Sequence, residues 1–132
     1  MENCIVVASG SNGNLLQEDI PMHLFERGKF EILLLQLEIP VAIVEYCAMT
    51  ASENGIKVIL NPAPAQNLSD NLLMHTWLIT PNETEAEILT GIKINDISST
   101  ENAAISLQRK GVKNIIITLG ADGAYVKSEN YS

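Results

Sequence analysis

Trp77-Leu78-Ile79-Thr80-Pro81-Asn82-Glu83-Thr84-Glu85-Ala86-Glu87 is the stretch on which the reading of the fold turns. A short β-prone run stops at Thr-Pro, because proline pushes the residue before it into extended backbone. Asn82 suits a helix N-cap, and Glu85 falls three residues later, where its carboxylate reaches back to the cap's own N–H. One reading is a capping box and nothing more. The other is a ligand site, since strand-to-helix junctions in α/β sheets are where ligands bind. A capping box accounts for Asn82 and Glu85 but not for Glu83 and Glu87 crowding the same helix start. An Asn and a Glu there could also organise a hydrated Mg²⁺ beside a nucleotide.

Outward from this junction, apolar runs of strand length alternate with helical patterns. Upstream, Asn3–Ala8 reads as a strand closed by the turn-rich 9–14 segment. Asp19 is placed to cap a helix from Ile20 to about Arg27, stopped by Gly28. Glu31–Leu37 (EILLLQL) reads as a central strand. Pro40 opens a helix to Glu53, with Ile43, Val44, Cys47, Ala48 and Ala51 at helical spacing, ended by Asn54-Gly55. Lys57–Leu60 is the next strand, running into Asn61-Pro62-Ala63-Pro64-Ala65, where two prolines stiffen the loop. Ser69 or Asp70 caps a short helix to about His75.

Downstream, the spacing predicts a helix from Asn82 to Thr90, stopped by Gly91, and another from about Glu101 to Lys110, capped by Thr100 or its neighbour. Asn114–Leu119 (NIIITL) is a β-branched strand, and Ala124–Lys127 returns as an antiparallel partner. Strands alternating with helices imply right-handed crossovers. The expected fold class is therefore α/β, a doubly wound and mostly parallel sheet with helices on both faces. The chain should form part of a single domain.

Composition agrees. The 132 residues suit one domain with a real core, and 46% apolar against 18% charged residues excludes a disordered chain. A net charge of −8 argues against nucleic acid as a partner, since no basic stripe meets a phosphate backbone. No apolar run approaches a membrane span, no signal peptide precedes Cys4, and two cysteines make neither a disulfide framework nor a metal-ligand spacing. The expectation is a cytoplasmic protein.

Four loops follow strand ends and should share one edge of the sheet. They carry Glu38, Asn61, Asn82 with Glu85, and Thr118-Leu119-Gly120-Ala121-Asp122-Gly123. Glu38 is either a solvated strand end or an acceptor for a substrate hydroxyl, and Gln36 beside it makes a polar pair in an apolar element. Asn61 is either a turn residue or a partner for a metal-bound water. Gly120-x-x-Gly123 is explained by a hairpin turn, or by backbone brought close to a nucleotide. There is no G-x-x-x-x-G-K-[ST] loop, no strand-linked G-x-G-x-x-G, and no spacing that argues for a Ser-His-Asp set.

Taken together and in order, these phrases resemble the ribokinase-like (PfkB-type) carbohydrate kinases. The resemblance is carried by Ala8-Ser9-Gly10-Ser11-Asn12, Leu35-Gln36-Leu37-Glu38-Ile39-Pro40, Asn61-Pro62-Ala63-Pro64-Ala65, the Thr80–Glu87 stretch with its N-x-x-E, and Ile117-Thr118-Leu119-Gly120-Ala121-Asp122-Gly123. It runs along nearly the whole chain and matches the middle of such an enzyme. What it implies is ATP-dependent phosphorylation of ribose to ribose 5-phosphate. The alternatives are another sugar or nucleoside as acceptor, or a non-catalytic nucleotide-binding or association domain.

By the same resemblance Glu38 contacts the pentose, and Asn82 together with Thr118, Leu119, Gly120, Ala121, Asp122 and Gly123 binds ATP. Glu85 holds Mg²⁺ through water, with Asn61 near the transfer region. K⁺ and a homodimer are implied for the complete enzyme. The family's Gly-Gly-Asn segment is expected upstream of Met1, and its G-A-G-D signature, with the catalytic Asp, beyond Ser132. The 132 residues by themselves are therefore expected to be inactive, because phosphoryl transfer needs its charge-stabilising and proton-accepting groups in place.

Overall fold

The computed structural model describes residues 10–129, so the strand expected at Asn3–Ala8 lies outside the described residues. Five strands, β1 (Ile32–Leu35), β2 (Lys57–Leu60), β3 (Leu78–Ile79), β4 (Asn114–Thr118) and β5 (Ala124–Ser128), form one sheet in that spatial order. The first four run parallel, and β5 pairs antiparallel with β4. Helices α1 (Val41–Glu53), α2 (Asp70–Met74), α3 (Glu83–Thr90) and α4 (Ile97–Arg109) fill the crossovers. This is the mostly parallel α/β architecture that the alternation of elements implies.

A sheet whose parallel strands follow one another in chain order, joined by right-handed crossovers, carries those crossover helices on one face. The register agrees. Leu35, Leu60, Ile79 and Ile115 lie side by side across the strands, and the last three are fully buried. They pack with Val44, Ala48 and Ala51 of α1, Leu72 and Leu73 of α2, Ala86 of α3, and Ala103, Ala104 and Leu107 of α4. Each fully buried leucine or isoleucine contributes roughly 1.5–3 kcal/mol of transfer free energy. The alternate residues face the other way. There Leu34 is 72% and Val126 65% exposed, an apolar face that the described helices leave open.

Among the described residues β1 is an edge strand, not the central one expected of Glu31–Leu37, and the helices cover one face of the sheet where both were expected. Two further expectations are corrected. No α-helix spans Ile20–Arg27. The chain instead makes short 3-10 turns at Gln17–Asp19 and Met22–Phe25, with Pro21 between them. Pro21 has no N–H, and Phe25 is the lone buried residue of its turn, so no continuous apolar face holds a longer helix. Asp19 accepts from the Leu16 N–H at 2.9 Å, a local turn contact that reaches back along the chain and caps no helix.

Helix α4 begins a turn earlier than Thr100, at an N-cap formed by Asp96. Asp96 Oδ1 accepts from the Ser99 N–H at 2.7 Å. Thr100 is buried, and its hydroxyl donates to the Asp96 carbonyl at 2.8 Å. The run Ile97-Ser98-Ser99-Thr100 has modest helix propensity, and the cap together with tertiary burial overrides it.

Candidate functional site

The carboxyl ends of β1 to β4 lie along one edge, and single backbone hydrogen bonds extend the ladder into the loops. Asn61 N–H donates to the Leu35 carbonyl at 2.9 Å, Thr80 N–H to the Leu60 carbonyl at 3.0 Å, and Thr118 N–H to the Pro81 carbonyl at 2.9 Å. Each loop is thereby held against its neighbour before any side chain acts.

Glu38 follows β1 at a bend. Leu37 is buried, and its N–H donates to the Ala63 carbonyl at 2.9 Å, which pins the bend to the Asn-Pro-Ala-Pro-Ala loop. With Leu37 committed to the core, Gln36 and Glu38 are left exposed. They line a cavity of about 580 Å³ together with Asn12, Asn61 and Thr80, over Leu34 and Ile59. The polar groups ring an apolar floor, the general make-up of a small-molecule site. Glu38 and Asn61 therefore meet in one cavity. Asn12, Gln36 and Thr80 join them without having been marked individually as site residues. The signal available for Gln36 and Thr80 was parity, since each lies an even number of residues from an uncovered sheet position.

Asn82 and Glu85 form a reciprocal capping box at the start of α3. Asn82 Oδ1 accepts from the Glu85 N–H at 2.8 Å, and Glu85 Oε2 accepts from the Asn82 N–H at 2.8 Å. Glu85 is only 9% exposed, whereas Asn82 is exposed. Glu87 has a separate structural task, since its Oε1 accepts from the Ile94 N–H at 2.8 Å and ties down the segment after α3. That accounts for one of the two acids the capping box left unexplained. Glu83 is exposed in the first turn, where a negative charge suits the helix N-terminus.

Thr118 ends β4, and the Leu119–Gly123 segment makes the turn into β5, closed by Leu119 N–H donating to the Gly123 carbonyl at 2.8 Å. Gly120 and Gly123 have φ of 56° and 94°, conformations that side-chain-bearing residues seldom adopt. A Cβ at either glycine would meet nothing within 4 Å, so the space over this turn is open. A parallel bridge joins Asn82 to Thr118 and so links the cap of α3 to this turn. Neither Asn82, Glu85 nor the 118–123 turn lines the Glu38 cavity. Thr80 stands between the two groups.

The donor set fits one mode of divalent-metal binding. Among the described residues no three His, Cys, Asp or Glu side chains gather as a ready cage. Glu85 offers a single carboxylate with one oxygen engaged in the box. That suits a Mg²⁺ that keeps most of its waters and takes other ligands from substrate phosphates. Cys47 takes no part. It is buried under α1, and burial pushes its thiol above the usual range, away from the reactive thiolate. Among the described residues no helix is long and apolar enough to cross a membrane.

Residues 1–132 match the pfkB family carbohydrate kinase family. The chain is 47% identical over 131 residues to the ribokinase of Haemophilus influenzae, covering 99% of this chain and 43% of that protein. It is 38% identical over 123 residues to a deoxyribokinase of Salmonella typhi, covering 92% of this chain and 40% of that one. The structure of Arabidopsis thaliana ribokinase complexed with ribose and ATP superposes with a TM-score of 0.86 at 26% identity, over 99% of this chain and 43% of that chain. The chain thus spans about two fifths of the length of the curated relatives it matches.

Proposed function

The chain belongs to the pfkB family of carbohydrate kinases, and on that premise we propose that it is the central part of an ATP-dependent ribose kinase making ribose 5-phosphate. The observation that carries this reading is the meeting of Glu38 and Asn61 in one cavity at the carboxyl edge of the sheet, next to the Asn82–Thr118 bridge. In this reading the pentose occupies the cavity and Glu38 accepts a hydroxyl proton in a hydrogen bond. The nucleotide lies over the open turn at Thr118, Leu119, Gly120, Ala121, Asp122 and Gly123, with Asn82 toward its phosphates. The two ligands then meet near Thr80. Glu85 would hold Mg²⁺ through water, and the ion's part in the reaction is to offset phosphate charge. Asn61 orients solvent between the two subsites.

Such a division of labour suits phosphoryl transfer, in which the protein mainly positions reactants and stabilises charge. The proposal extends to K⁺ dependence, a homodimer and cytoplasmic work, where ATP is abundant. It also holds that the 132 residues on their own do not turn over.

The test is a chimera in which residues 1–132 replace the matching segment of the Haemophilus influenzae ribokinase. ADP release is followed with D-ribose, Mg²⁺ and K⁺. Ribose-dependent turnover by the chimera is expected, and none by the 132 residues alone. A folded chimera that binds ATP yet phosphorylates another sugar in preference to ribose would overturn the substrate assignment. Turnover by the 132 residues of even about 1 per second, an ordinary enzyme rate, would overturn the dependence on other segments.

A further inference from the structure

We propose that Gln36 is a sugar-contacting residue that sets selectivity among pentoses, by donating its amide N–H to a hydroxyl neighbouring the one that Glu38 holds. The inference rests on reading the Glu38 cavity as the pentose site. Gln36 follows β1, flanked by half-buried Leu35 and buried Leu37, and its side chain is exposed into the same cavity as Glu38. Among the described residues, then, no hydrogen bond commits the Gln36 amide elsewhere, and its side chain is exposed. An aliphatic residue would match the adjoining floor of Leu34 and Ile59 better, since apolar surface there gains from contact.

The chemistry supplies the reason for an amide. A carboxylate only accepts hydrogen bonds, whereas a sugar hydroxyl both donates and accepts. Glu38 therefore satisfies the hydroxyl proton and leaves the oxygen lone pairs of the sugar wanting a donor. Asn12, Asn61 and Thr80 also carry donors on the cavity wall. Gln36 alone is two residues from Glu38 in the same segment, and with the intervening Leu37 buried both polar side chains are left to the one cavity. One acceptor and one donor so placed suit two adjacent hydroxyls. A site built to bond a hydroxyl discriminates strongly against the analogue lacking it. That difference separates the substrates named for the relatives, which include ribokinases and deoxyribokinases.

The test is binding of D-ribose, 2-deoxy-D-ribose and 3-deoxy-D-ribose, by ligand-detected NMR titration, to the chimera that carries residues 1–132 in the Haemophilus influenzae ribokinase. Wild type is compared with Gln36→Leu and Gln36→Glu, and thermal midpoints check that each variant folds. Gln36→Leu should weaken D-ribose about tenfold, the loss of one good hydrogen bond. It should weaken one deoxy-pentose, the one missing the partner hydroxyl, about threefold or less. Gln36→Glu keeps the shape but removes the donors, and it should lose ribose affinity as the leucine variant does. Equal weakening of all three sugars, or wild-type ribose affinity in the glutamate variant, overturns the inference and leaves the pentose site standing. A folded wild-type chimera that binds ATP but none of the three overturns the pentose site, and the inference with it.

Discussion

The backbone of Asn82 lies beside that of Thr118 in a parallel bridge, and the Thr118 N–H donates to the Pro81 carbonyl at 2.9 Å. The cap of α3 and the glycine turn after β4 are thereby one mechanical unit, although the two residues are far apart in sequence. Here a ladder bond fixes the distance between the exposed Asn82 side chain and the open turn, as positioning two parts of one nucleotide would require.

A first prediction separates capping from ligand binding at Glu85. Glutamine also serves as the acceptor in a capping box. Glu85→Gln should therefore shift the thermal midpoint of the chain by no more than about 4 °C, the scale of a 1 kcal/mol change in a domain of this size. In the chimera the same substitution should lower turnover and raise the Mg²⁺ concentration needed, because a neutral amide is a poorer partner for metal-bound water. Wild-type kinetics with an unchanged Mg²⁺ dependence would leave Glu85 with the structural task alone.

Glu38 should behave differently from the residues of the α3 junction. Losing a charged hydrogen bond to a sugar hydroxyl costs roughly 1.5–3 kcal/mol. In the chimera, Glu38→Ala should therefore raise the KM for ribose about tenfold or more, at about 1.4 kcal/mol per decade. The KM for ATP should stay near wild type, since Glu38 lies in the cavity and not at the turn. An equal loss for both substrates would make Glu38 a structural residue of the sheet edge.

The uncovered sheet face leads to a prediction about association. Ile32, Leu34 and Val126 are 49%, 72% and 65% exposed, and apolar sheet surface of this kind drives self-association. Sedimentation velocity of the 132-residue chain at tens of micromolar, roughly the range where such surface acts, should show species larger than the monomer. The double substitution Leu34→Lys and Val126→Lys should shift it toward monomer. If the two lysines left the sedimentation profile unchanged, association would have to run through another surface.

The cap of α4 makes stability depend on pH. Hydrogen bonds from the Ser99 backbone and side chain hold the Asp96 carboxyl below its ordinary value. A carboxylate depressed in the folded state adds stability that is present above the unfolded value and is lost as pH falls through the folded one. Stability should therefore drop on acidification below about pH 4, the ordinary aspartate range. Asp96→Asn retains a good cap, so it should match wild type near neutrality and show a shallower acid decline in thermal midpoint. Parallel acid limbs in the two proteins would rule out a contribution from Asp96.

Much of this architecture was legible along the chain. Glu31–Leu37, Lys57–Leu60 and Asn114–Leu119 announce strands through β-branched and aliphatic runs bounded by turn residues. Asn82 and Glu85 announce a capping box that forms at the expected positions. These signals are local: a proline, an N-cap or an alternation acts through atoms within a few residues of itself. Where local signals were weak, the expectation failed. Met22–Phe25 stayed a short turn because a single buried Phe25 anchors it. Asp96 took the cap from Thr100 because the first turn of α4 is held by a box rather than by propensity.

What the amino-acid sequence by itself determined was the order of strands and helices, the caps that bound them, and the family resemblance carried by five short phrases. Only the tertiary structure decided which of those phrases meet. Glu38, Gln36, Asn61 and Thr80 share a cavity because parallel pairing brings the ends of β1, β2 and β3 side by side, while Asn82 reaches Thr118 through one ladder bond. Strand register and crossover handedness set these neighbours. Both arise from packing across the whole sheet, where residues far apart in the chain compete for the same buried face.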